Sequence, residues 1–103
     1  MNKGGFGVDI PHDRIIAFCQ HWEVRELALF GSVLNERFSS DSDIDILISF
    51  SDQAQWSLYE MMDMREELEK ILGRKVDLVE KEALKNPFRR QAILSERQVI
   101  YAA

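Results

Sequence analysis

Leu27-Ala-Leu-Phe-Gly-Ser32, a gap of ten residues, and then Asp43-Ile-Asp-Ile-Leu-Ile-Ser-Phe50 form the stretch that decides the fold. Both apolar runs are short and bounded by turn residues, so each reads as a buried strand, over Val24 to Phe30 and over Asp43 to Phe50. Residues two apart on a strand share a face. Asp43 and Asp45 therefore project together, while Ile44 and Ile46 turn into a core. Two carboxylates on one side repel each other, and burying them without counter-charge is expensive. A divalent cation relieves that conflict, and a donor set made only of oxygen favours Mg²⁺ or Mn²⁺ over zinc. Gly31 lets the backbone approach a ligand closely. Ser32 can cap one or two helical turns over 32–36, where the Ser32 and Val33 amides can donate to a phosphate.

Working outward, Pro11 sits where an opening helical turn tolerates it, and Ile15, Ile16, Phe18, Cys19 and Trp22 follow at helical spacing, predicting a helix over 11–21. Trp56 to Leu72 carries Leu58, Met61, Met62, Leu68, Ile71 and Leu72 on one stripe, with Gly73 as the stop. Lys75 to Val79 reads as a third strand, Phe88 to Glu96 as a last helix, and Gln98 to Tyr101 as a closing strand. The predicted order is α-β-α-β-α-β-α-β, an α/β (α+β) class with a small mixed sheet and helices packed on it. One domain over 11–103 is expected, with 1–10 as a flexible lead-in. Asp77 lies between Val76 and Leu78, which reads as a buried position. If its strand neighbours the Asp43–Phe50 strand, it completes a cluster of three carboxylates able to hold two metals.

The remaining chemistry-bearing residues read as structural. His12 and His21 do not share a helix face cleanly, Cys19 reads as a small buried hydrophobe, and Met61, Met62 and Met64 as core. Arg65 falls on the apolar stripe, where it snorkels to the rim or pairs with a carboxylate. The chain's 103 residues carry 13 basic and 18 acidic side chains, a net charge of -5, which speaks against sequence-independent nucleic-acid binding. No apolar run reaches the roughly 18–20 residues that span a bilayer. One cysteine cannot form an internal disulfide, which fits a reducing cytosol and predicts a cytoplasmic protein.

The Gly31-Ser32, ten-residue gap and Asp43-x-Asp45 pattern resembles the signature of the DNA polymerase beta-like nucleotidyltransferases. The Leu72-Gly-Arg-Lys-Val-Asp-Leu-Val79 segment and the small size resemble the minimal nucleotidyltransferase (MNT) family. The resemblance runs from about residue 14 to the end. It implies a polymerase beta-like fold, Mg²⁺ held by Asp43, Asp45 and Asp77 as the catalytic carboxylates, and Gly31 and Ser32 on the triphosphate of ATP. It further implies an antitoxin partnered with a HEPN-domain toxin, in which AMP passes from ATP to a tyrosine of that toxin. Neutralisation of the toxin by binding alone is the alternative. The chain departs from a common form of the motif, in which arginines follow Gly-Ser closely, since Val33 and Leu34 stand there. Arg37, Lys81 or the Arg89-Arg90 pair could grip the triphosphate, and each also reads as a solvated surface charge. A core of this size leaves no spare domain for an acceptor, so a docked protein is the expected acceptor.

Overall fold

The structure is a computed structural model that describes residues 8–35, 39 and 41–103. A four-stranded sheet forms its centre, in the order β3-β2-β1-β4. The strands are β1 (Val24–Phe30), β2 (Ile44–Phe50), β3 (Val76–Glu80) and β4 (Gln98–Ala102). β1 pairs antiparallel with both β2 and β4, whereas β2 and β3 run parallel. The parallel pair needs a long crossover, and α2 (Leu58–Leu72) supplies it. Helix α1 (His12–His21) precedes β1, and α3 (Pro87–Glu96) precedes β4.

Strand alternation sorts the apolar side chains into two layers. Leu27, Leu29, Ile44, Ile46 and Ile48 pack with Ile15 and Phe18 of α1 and with Met64, Leu68 and Leu72 of α2. Ala28, Phe30 and Leu47 face the other way, against Leu84 and Ile93 of the α3 side. β1 and β2 are thus covered on both faces, which is why their sequences read as continuous apolar runs. β3 and β4 are edges and alternate less cleanly.

The predicted elements appear in the predicted order, with shifts at their ends. The helical turns expected over 32–36 are a 3-10 turn at Gly31–Leu34. α2 begins at Leu58 rather than Trp56, because Ser57 forms a capping box with Glu60 there. Gly73, at φ +70°, ends it. The apolar stripe of α2 is corrected too: Leu58 and Met62 are exposed, while Met64 is fully buried as expected. Trp56 is itself tied back, its Nε1 donating to the Trp22 carbonyl at 2.9 Å. Arg65 pairs with Glu69 at 3.4 Å, one helical turn on. Residues 1–7 of the expected lead-in lie outside the described residues, but Ile10 is buried in the core and Val8 packs against it. Cys19 is free and buried, and both histidines of α1 are exposed.

Candidate active site

One end of the sheet collects the acidic residues. β2 and β3 start side by side there, with Asp45 and Asp77 as direct register partners across the parallel pair. On the other flank, Asp45 is the register partner of Phe30, the last residue of β1. Gly31 follows at once, at φ +77°. A Cβ on Gly31 would stand 3.2 Å from Asp45 Cγ and closer still to its Oδ2. Glycine is therefore required twice, by the left-handed backbone and by the carboxylate leaning over it. The Gly31 N–H donates to Glu96 Oε1 at 3.1 Å, so the end of α3 is pinned to the end of β1.

Asp43 stands one step outside β2, on a loop held from β3's side. Arg74 Nη2 donates to the Ser39 carbonyl at 2.5 Å and to the Ser42 carbonyl at 2.7 Å. The Ile44 N–H donates to the Lys75 carbonyl at 2.8 Å, which starts the parallel ladder. A cleft of about 380 Å³ opens here between Asp41, Ser42, Asp43, Arg74 and Lys75. A roomier cleft of about 570 Å³, beside Cys19, Val24 and Tyr101, holds none of the three aspartates.

The charges at this mouth act on one another. Burial holds the Asp45 carboxyl above the usual carboxylate range, and the charges of Asp77, Asp43 and Glu96 push it the same way. Arg89 pulls in the opposite direction. A set of hard oxygen donors that raises the proton affinity of its own member is short of positive charge, which a divalent cation would supply. The donor chemistry therefore fits Mg²⁺. The closed cluster of three carboxylates expected from the sequence is not formed: among the described residues no three acidic, histidine or cysteine side chains converge closely enough to cage an ion. Mutual repulsion explains an open rim spread over two strand starts. Asp77 is exposed, not buried as its apolar neighbours suggested, because β3 is an edge strand and its α3 face is only partly covered.

Of the bases considered for the triphosphate, Lys81 pairs with Glu26 at 3.7 Å, and Arg90 Nη1 donates to the Lys81 carbonyl at 2.8 Å. Arg37 lies outside the described residues. Glu96, bonded to Gly31, is the neighbour of the mouth that sequence reading missed. Its signal was the spacing Arg89, Ile93, Glu96, one stripe of a helix with an apolar centre.

Comparison with known proteins gives a consistent set of likenesses. Residues 15–100 match the model of the nucleotidyltransferase domain family. A Methanocaldococcus jannaschii protein with the provisional name protein adenylyltransferase is 40% identical over 80 residues, which are 78% of each chain. The protein adenylyltransferase MntA of Thermococcus cleftensis is 37% identical over 82 residues, covering 80% of this chain and 78% of that one. Among solved structures, a tri-AMPylated Shewanella oneidensis HEPN toxin in complex with its MNT antitoxin matches with a TM-score of 0.64 at 20% identity, over 89% of this chain and 70% of that one. At that identity the likeness is one of fold.

Proposed function

The chain belongs to the nucleotidyltransferase domain family, and on that premise we propose that it moves AMP from ATP onto a hydroxyl of a partner protein, the tyrosine of a HEPN toxin, and so acts as its antitoxin. The observation that carries the proposal is the register pair Asp45 and Asp77, with Gly31 closed beneath the Asp45 carboxylate.

In this reading, the turn at Gly31-Ser32 receives the triphosphate, and Asp43, Asp45 and Asp77, open at the rim, would hold a divalent cation together with its phosphate oxygens, Mg²⁺ by the all-oxygen donors. The ion, when bound, offsets negative charge on the α-phosphate and on the departing pyrophosphate. The chain's own residues do the rest. Gly31 keeps the β1 end close enough to β2 for one substrate to touch both. Asp77, exposed at the rim, is open to an acceptor hydroxyl arriving from a docked protein and can take its proton. The hydroxyl oxygen forms its bond to the α-phosphorus as the bond to the bridging oxygen breaks and pyrophosphate leaves. Most of the gain comes from positioning and electrostatics.

The cytoplasm is the compartment this reading assigns, consistent with a single, buried, free cysteine. Among the described residues no helix is long and apolar enough to cross a membrane.

Neutralisation of the toxin by occlusion alone is separated by one experiment. The toxin's activity is measured after incubation with the wild-type chain or Asp77→Ala, each with and without Mg-ATP. Lasting neutralisation that needs both ATP and Asp77 supports transfer. Equal neutralisation by both chains without ATP contradicts it.

A further inference from the structure

A nucleoside triphosphate brings about four negative charges to a mouth that already gathers carboxylates, so a cation must meet it from the protein side. The arginines that commonly follow Gly-Ser are replaced here by Val33 and Leu34. The other described arginines can be sorted by what they already hold. Arg25 pairs with Asp52, Arg65 with Glu69, and Arg97 with Glu26. Arg74 and Arg90 donate to backbone carbonyls. Among the described residues, Arg14 and Arg89 are the arginines whose side chains make no hydrogen bond or ion pair. Arg14 belongs to α1, whose buried residues pack on the opposite layer of the sheet.

Arg89 is different in its placement. The Asn86 side chain caps α3, accepting from the Phe88 and Arg89 N–H groups at 2.9 and 3.0 Å, which fixes where the first turn begins. From there Arg89, Ile93 and Glu96 fall on one stripe. Ile93 is buried against the layer that contains Phe30 and Leu47, two positions beyond Asp45 on the same strand face. Glu96 is bonded to Gly31. The stripe is thus anchored at its middle and at its end over the acidic mouth, and Arg89 is its remaining, exposed member.

Resting on the nucleotidyl-transfer reading above, we propose that Arg89 is the residue that grips the polyphosphate of the nucleotide, replacing from α3 the arginines missing after Gly31-Ser32. Its guanidinium offers two parallel donors to phosphate oxygens, a geometry a lysine cannot match. Arg90 has the separate duty of tying α3 to the turn at Lys81–Ala83.

The test is ATP binding by titration calorimetry with Mg²⁺ present, on the wild type, Arg89→Ala, Arg89→Lys, Arg90→Ala and Lys75→Ala, alongside thermal melts of each. Loss of one charge-assisted, bidentate contact is expected to raise the Kd for ATP roughly tenfold in Arg89→Ala, with partial recovery in Arg89→Lys and an unchanged melting temperature. Arg90→Ala is expected to lower the melting temperature and to leave the Kd within about twofold. An Arg89→Ala chain that binds ATP like the wild type overturns the proposal. So does a loss of binding that appears in Lys75→Ala and not in Arg89→Ala. A wild-type chain that takes up no ATP removes the nucleotidyl-transfer reading itself, and the role of Arg89 with it.

Discussion

At the scale of single residues, Gly31 and Asp45 are the two that constrain each other. The left-handed backbone of Gly31 and the carboxylate over its α-carbon leave no room for a methyl group. Gly31→Ala is expected to cost about 1–3 kcal/mol in denaturant unfolding, since the strain adds to the clash, and to weaken ATP binding as Asp45 is displaced. Asp45 works the other way. Its carboxyl is held above the ordinary range by burial and by Asp77 and Asp43, so the folded chain keeps that proton to a higher pH than the unfolded chain. Stability from this group is therefore lost as pH climbs above the unfolded aspartate value of about 3.9. Asp45→Asn is expected to flatten that fall in thermal melts and to gain no more than about 1 kcal/mol at neutral pH, because the site is open to solvent. The same change is expected to cut transfer by about a hundredfold or more, in a site whose gain is electrostatic. The paired aspartates were legible because strand alternation is local. The exposure of Asp77 was not, since Val76 and Leu78 say only that the strand is apolar, and its edge position is a property of the sheet.

At the scale of elements, the strands were readable and the helix faces less so. β1 and β2 are apolar on both sides because both their faces are covered, and that pattern survives without knowledge of the neighbours. α2 shows the limit. Its expected stripe took in Leu58, and Met62 with Met61 and Met64 was expected in the core, yet Leu58 and Met62 are exposed, as is Tyr59, while Met64 is buried as expected. At about 100° per residue Leu58 and Met62 lie on the flank of the stripe that Met61, Met64, Leu68, Ile71 and Leu72 form, and apolar counting alone does not separate flank from centre. Leu68, fully buried in the core with α1 and the sheet, is the better anchor. Leu68→Ala is expected to cost about 2–5 kcal/mol in denaturant unfolding, against about 1 kcal/mol for Ser57→Ala at the cap. The β2–α2–β3 crossover matters most to function, since its parallel register is what sets Asp77 beside Asp45.

For the whole molecule, one mixed sheet carries the acid-bearing strand starts at one end, with α3 on the face of Ala28, Phe30 and Leu47 and α1 and α2 on the other. A net charge of -5 suits a positively charged protein partner better than a nucleic acid. The fold and the glycine–aspartate pattern could be read from the chain, and Arg89 stood there as one of several bases for the triphosphate, but the nearness of Glu96 and Arg89 to the acidic mouth could not. They reach it from more than forty residues away in sequence, Glu96 through its bond to Gly31 and Arg89 through its charge on Asp45. The most direct measurement is the intact mass of the HEPN toxin after incubation with the chain, ATP and Mg²⁺. The toxin is expected to gain whole AMP increments with the wild type and none with folded Asp43→Ala or Asp45→Asn. A toxin that stays at its starting mass with the wild type, or that gains AMP equally with both variants, contradicts it.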